Sequence, residues 1–347
     1  MINISEQVQT FISDAVIVDI LAANAPLHPV YPVHGLNNFD EFIQHYIDAG
    51  ITWTSLTASA DMVQSIETTL KVIAAGRDYI LRRPDKFIFV DTVDDILQAK
   101  REGKLGLNFN FQGTNPLLGD LNLVETYRRL GVGHMLMAYN QKNGVGDGCH
   151  EQTDAGLSRY GERLIQEMNR VGMIVDATHT GYRTTLDMFE ISSAPVIFSH
   201  SNPRALVDHD RCIRDDQIKA CANTGGVVGI SGVGLFLSDQ RNDISAEVVA
   251  QHVDYVAQLV GPRHVGFGLD FVGYPTPLQI EMGKAIFKAS ADTYPDKGGY
   301  NDGPMVFAPP GVIIETANCL LNRGYSDTDV QGILGDNFLR VCREVWL

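Results

Sequence analysis

The sequence predicts an α/β fold, a (β/α)8 TIM barrel, on three observations. Eight short runs rich in Val, Ile and Leu recur along 347 residues with helix-like segments between them, the pattern of parallel strands covered by helices. Two of those segments end in a glycine suited to a helix C-terminus. Two runs stop at a histidine and one at an aspartate, and strand C-termini carry the chemistry of such barrels. No GxGxxG follows the first run, so a doubly wound dinucleotide sheet has little support.

The runs follow in order as AVIVDIL (15–21), ITWTSLTAS (51–59), KLGLNFNF (104–111) and VGHMLMAYN (132–140), then MIVDATHT (173–180), APVIFSHS (194–201), GGVVGISGV (225–233) and HVGFGLDF (264–271). Each is short, β-branched and apolar enough to be buried on both faces. Between them lie amphipathic stretches such as NFDEFIQHYIDAG, LSRYGERLIQEMNRVG and SAEVVAQHVDYVAQLVG. The last two carry their glycine at positions 172 and 261. No repeat, low-complexity tract or linker divides the chain, so residues 1–347 read as one barrel domain. After the last run, residues 274–310 form an excursion rich in Gly, Pro, Tyr and Asp, read as a lid, an oligomer contact or an ordered surface loop.

Composition bounds the function. A content of 44% hydrophobic and 20% charged residues is that of a well-cored globule. The first fifteen residues lack a basic start and a long apolar run, and no later run approaches a membrane span, so a cytoplasmic protein without membrane partners is expected. The five cysteines, at 149, 212, 221, 319 and 342, show no metal spacing and suit reduced, mostly buried thiols. A net charge of −15 repels phosphate backbones, so a small molecule rather than nucleic acid is the expected partner. Homo-oligomerisation is left open.

The strand ends supply the candidate chemistry. His179, His200 and Asp270 follow apolar runs and project toward one mouth. Two imidazoles and a carboxylate leave a fourth position for water, the pattern of a mononuclear catalytic zinc site. Arg211, in HDRCIRDD, is placed to hold a substrate carboxylate in a bidentate pair, the competing reading being an ion pair with Asp215 or Asp216. The loop AYNQKNGVGDGCHE offers Tyr139, Asn140 and Asn143, while its GVGDG turn is a weak signal. Asp19 reads as a hydrogen-bonding residue within the barrel. His28, His34, His45, His134, His150, His209, His252 and His264 lack the strand-end position and read as structural.

These stretches, DATHTG, PVIFSHSNPRAL, HDRCIRDDQI, HVGFGLDFVG and ILGDNFLRV, resemble the renal (membrane) dipeptidase family, the M19 metallopeptidases of the amidohydrolase-like barrels. The resemblance implies a metallo-dependent hydrolase barrel with two zinc ions that cleaves dipeptides and related amides. It gives His179 and His200 as ligands of one metal, Asp270 as the aspartate beside the metal-bound water, and Arg211 as the arginine that grips the substrate carboxylate. The chain also departs from the family. Where the family writes Asp-Gly-His-Asn-Asp, this chain has Asp19-Ile20-Leu21-Ala22-Ala23, so Leu21 and Ala23 replace two ligands. Gln112 stands for the bridging carboxylate and Tyr139 for a histidine that contacts the substrate.

The expectation is therefore a diverged dipeptidase-like hydrolase of a C–N bond in a small carboxylate-bearing substrate, for which ordinary dipeptides are poor substrates. It would hold one zinc ion at most, or none, with His179, His200 and the Gln112 carbonyl or Asp270 as metal ligands. Asp270 and Tyr139 are the expected catalytic groups, and Arg211 and Asn140 the substrate-binding ones. Two rival readings are a lyase or isomerase acting on an N-modified amino acid and a metal-free pseudoenzyme that binds a small molecule.

Overall fold

The computed structural model describes residues 11–26, 39–240, 242–274, 277–303 and 305–346. His28 and His34 lie outside the described residues. All eight predicted runs form strands: β1 (Val18–Ala22), β2 (Trp53–Ala60), β4 (Leu105–Gln112), β5 (Val132–Leu136), β6 (Ile174–Asp176), β7 (Val196–Ile197), β8 (Val228–Ile230) and β9 (Val265–Phe267). A further strand, β3 (Phe87–Phe89), falls between β2 and β4 in the chain. It pairs with Leu105–Leu107 of β4, while β5 pairs with Phe109–Phe111 farther along β4. Gly131 permits this arrangement, because a Cβ there would strike the Phe89 ring.

The ring is parallel throughout, in the order β1-β2-β4-β5-β6-β7 and then the pair β8-β9. Single parallel bridges, Phe198 with Val228 and Ala22 with Phe271, join the two sheets at both seams and close the barrel. The strands from β5 onward are shorter than the apolar runs that encode them. Their last residues leave the ladder early, and this places Asn140, His179, His200 and Asp270 in the turns beyond it.

Helices cover the outside as the amphipathic stretches predict. Phe39–Asp48 buries Phe42, Ile43 and Tyr46. Arg159–Val171 stops at Gly172, which is left-handed at φ 74° and donates its N–H to the Met168 carbonyl. Ala246–Val260 stops at Gly261, at φ 92°, just before Pro262. The helix Asn337–Val345 and Trp346 plug the N-terminal end of the barrel. There Phe338 stacks on Trp53 at 5.2 Å, and the Trp346 indole donates to the Gly133 carbonyl at 3.1 Å. All five cysteines are free, with Cys212, Cys221 and Cys342 buried. Among the described residues, no helix is long and apolar enough to cross a membrane.

The excursion folds back over the opposite end. It contains a helix, Pro277–Ala289, and a short turn, Asp296–Gly298, and returns as an antiparallel bridge between Phe307 and Val233. Asn140 donates to the Thr293 carbonyl at 3.0 Å, and His209 Nε2 bonds the Gly298 carbonyl at 2.9 Å, so the loops after β5 and β7 both hold it.

One seam bears directly on the site. The Ser199 carbonyl enters the space above Gly229 and Gly268, where a Cβ on either would overlap its oxygen. Backbone atoms cannot give way as a flexible side chain can. Gly268→Ala should therefore cost about 1–3 kcal/mol, as overpacking does, and urea unfolding followed by circular dichroism would measure it. An unchanged midpoint would mean that the contact between the Ser199 carbonyl and Gly268 yields.

Candidate active site

Parallel strands deliver their C-termini to one mouth, and there the structure assembles most of the candidates. A cavity with about 840 Å³ of free space, its open mouth included, is lined by Tyr139, Asn140, His179 and Asp270 on one side. Four non-glycine residues among those described have positive φ: Leu118, Asn140 (62°), His179 (62°) and Asp270 (57°). Three of the four line this cavity. L-residues avoid that backbone region at a cost of about 1–3 kcal/mol each, and such strain gathers at functional sites.

His179 and His200 meet through their Nε2 atoms, 3.0 Å apart. The outer nitrogen of each ring is oriented by a neighbour: His179 Nδ1 by Asn140 Oδ1 at 2.6 Å, His200 Nδ1 by Ser199 Oγ at 2.7 Å. Asn140 Oδ1 also accepts the Cys149 thiol and its amide donates to Thr293, so its oxygen faces the ring and His179 Nδ1 carries the proton. That leaves the His179 Nε2 lone pair aimed at His200. Burial, followed by the charge of Arg211, pushes both imidazoles well below their usual pKa. A neutral pair shares at most one Nε2 proton, or turns both lone pairs toward a cation. The Tyr139 ring stacks on His179 at 4.0 Å and 22°, and its hydroxyl bonds that of Tyr294 at 3.1 Å.

Asp270 is recessed in the cavity wall. Burial pushes its carboxyl up to about 7 against the opposing pull of Arg211. Arg211 is buried and lies behind His179, its Nε 3.0 Å from His179 Nδ1, and it donates to Ser201 Oγ (3.2 Å) and the His200 carbonyl (2.8 Å). The Nδ1 contact competes with that from Asn140, and the shorter Asn140 bond prevails. Arg211 does not pair with Asp215 or Asp216, which accept from Tyr255 and Tyr182. Its guanidinium borders a second, more polar recess beside Cys149, Asp210 and Lys297. The Gln112 amide donates to Thr57 Oγ1 at 3.1 Å.

Several supporting residues carried no signal in the strand-end reading. Asp61, just beyond β2, accepts from the backbone of Thr114, Asn115 and Tyr139 and from the Asn143 amide, and so pins the loop after β5. Asp176 accepts from the Thr178 and Ser199 backbone and pairs with buried His134 at 3.4 Å. Burial opposes the Asp176 charge, but His134 outweighs it and holds the carboxyl below the usual range. His150 bonds the Tyr300 hydroxyl at 2.8 Å, and burial lowers its pKa to about 4. The excursion adds Phe287, Tyr294, Tyr300 and Phe307 to the cavity. Only its richness in tyrosine hinted at this.

The membrane dipeptidase family, peptidase family M19, matches residues 33–284. The chain belongs to this family. An uncharacterised dipeptidase of Schizosaccharomyces pombe is 30% identical over 289 residues, covering 81% of this chain and 63% of that protein. The dipeptidase aclJ of Aspergillus oryzae is 32% identical over 268 residues, covering 76% and 57%. The chain thus spans less than two thirds of the length of these relatives. The crystal structure of an amidohydrolase from Pseudomonas aeruginosa superposes with a TM-score of 0.84 at 29% identity, covering 98% of this chain and 99% of that one.

Membership of a metallopeptidase family implies metal, and the donor set can be tested against it. Among the described residues, no group of three or more His, Cys, Asp or Glu is placed to hold an ion. Leu21 and Ala23 pack with Val272 and Phe307 in an apolar cluster. Such a surface offers a hydrated cation nothing in exchange for its water. The residues present do not fit a two-metal centre. A single ion would find two imidazole nitrogens, His179 Nε2 and His200 Nε2, and no grouped carboxylate.

Below this site Asp19 ties β1 to β9, accepting the Leu269 N–H at 2.8 Å and the Leu21 N–H at 3.4 Å. Burial pushes its carboxyl from 3.8 up to about 7. Between those values the folded chain keeps a proton that the unfolded chain has lost, so this group's contribution to stability falls as pH rises from about 4 to about 7. His179 and His200, with depressed pKa values, act in the opposite sense below their ordinary value. Comparison with Asp19→Asn isolates the aspartate. Urea unfolding at pH 4, 5.5 and 7 should show wild-type stability falling relative to the variant, whereas a constant difference would mean that Asp19 titrates normally.

Proposed function

We propose that the chain hydrolyses a C–N bond, amide or peptide-like, in a small carboxylate-bearing molecule. The observation that carries this reading is Asp270, recessed in the cavity wall with its carboxyl pushed up to about 7. A general base works best when its pKa lies near the operating pH. Asp270 takes a proton from the water that attacks the substrate carbonyl and returns it to the leaving nitrogen. Tyr139, held against His179, turns its hydroxyl from Tyr294 to the carbonyl oxygen as charge develops there. Asn140 fixes the His179 ring and contributes a polar edge to the substrate site.

Arg211 supplies the positive charge. Two of its five N–H groups are bonded to acceptors, Ser201 Oγ and the His200 carbonyl, and each terminal nitrogen keeps a second N–H. A substrate carboxylate that reaches those donors gains a charge-assisted pair in a buried setting. The similar proteins, dipeptidases and an amidohydrolase by name, agree with C–N bond cleavage. The acidic chain as a whole suits a small-molecule partner better than nucleic acid.

For metal content, the reading is one ion at most, on His179 and His200, and no step above runs through it. Elemental analysis of protein purified without chelator or affinity metal should return no more than one transition metal per chain, and two zinc ions per chain would overturn the reading.

Asp270→Asn should lower kcat by about 10²–10⁴, the usual worth of a general acid-base group. The rising limb of the pH–rate profile near 7 should disappear with it. Asparagine tolerates left-handed backbone, so the fold should survive, which a thermal melt would check. A variant of normal kcat would remove Asp270 from the chemistry.

A further inference from the structure

The cavity lining is polar at Tyr139, Asn140, His179 and Asp270, and beside these it is apolar, with Ala23, Val233, Val272, Phe287, Met305 and Phe307. The two excursion tyrosines at this wall have their hydroxyls engaged, Tyr294 with Tyr139 and Tyr300 with His150, so they present ring faces to it. Lys284 reaches the rim already paired with Glu281 at 2.9 Å.

Ala23 occupies the decisive position. It follows β1, its N–H donates to the Phe271 carbonyl at 3.3 Å, and its methyl packs with Leu21, Val272 and Phe307. Phe307 is itself held in place by its bridge to Val233. An apolar group seated here would remove its own surface and that of these side chains from water, and would strand no hydrogen-bonding atom. A charged or hydrated group would lose its water and find no partner.

From this wall we infer that the site selects substrates whose amino-acid part carries a branched aliphatic or aromatic side chain, seated against Ala23, Val272 and Phe307. Ala23 sets the size limit. The inference rests on the hydrolase reading of the same cavity, but binding and turnover separate the two.

The binding test uses Asp270→Asn protein, calorimetry, and three probes: N-acetylglycine, N-acetylleucine and N-acetylphenylalanine. The leucine and phenylalanine compounds should bind at least about tenfold more tightly than the glycine compound, since filling an apolar pocket is worth that much or more. Adding Ala23→Phe should remove their advantage over N-acetylglycine. Should that variant fail to fold, Ala23→Leu provides the same obstruction with less bulk. Equal affinities across the series, no binding by any member, or a preference that survives a well-folded Ala23 variant would overturn the pocket. Turnover of the same compounds by the wild type is read separately. A preserved binding order without any hydrolysis would overturn the hydrolase reading and leave the pocket standing.

Discussion

Three side chains reach the cavity because Asn140, His179 and Asp270 accept left-handed backbone, and the surrounding structure is arranged to keep them in it. Asn140 is held from both ends, its carbonyl by the His150 N–H and its amide by Thr293. The His179 carbonyl accepts the Cys149 N–H at 2.8 Å, and its ring lies between Tyr139 and His200. Asp270 donates its N–H to the Leu21 carbonyl, next to the Ala22–Phe271 bridge that closes the barrel. Barrel closure and site geometry therefore rest on the same hydrogen bonds.

One cation organises the titration of the site. Arg211 is buried and makes no ion pair among the described residues, and its charge reaches His179, His200 and Asp270. It deepens the effect of burial on the imidazoles and keeps them neutral, while it opposes burial at Asp270 and moderates the rise there. The neighbouring acid, Asp210, is taken up by Arg204 and Lys297 instead. A local anion from a substrate would satisfy it best.

Much of this was legible in the sequence because it depends on local pattern. Buried parallel strands must be apolar on both faces, and a polar residue directly after such a run, as at His179, His200 and Asp270, stands out. The short strand β3 did not stand out, since three residues of Phe-Ile-Phe are too few for a period and rely on Gly131 for room. Asp61 and Asp176 were equally silent, because their roles come from backbone N–H groups on other strands that no spacing reveals. For Arg211, the position on the loop could be read but its burial and contacts could not. Whether it faces an acid, a ring nitrogen or a cavity is decided by how the loop after β7 turns back, through the pairing of Pro203 with Ile213. The excursion was visible as composition, but its place over the mouth depends on distant partners, Asn140, His209 and Val233.

The kept and the altered halves of the site have a common electrostatic logic. A carboxylate beside a divalent cation is held ionised, because opposite charge at short range favours the charged form. An apolar cluster at Leu21, Ala23, Val272 and Phe307 gives such a cation no purchase near the end of β1. Asp270 is then left with burial on one side and Arg211 on the other, and burial wins, lifting its carboxyl to about 7. Leu21 on β1 and Ala23 just beyond it thus bear on more than the ligand count: they form apolar wall with Val272 and Phe307, and the aspartate across the seam has its carboxyl lifted by burial to about 7.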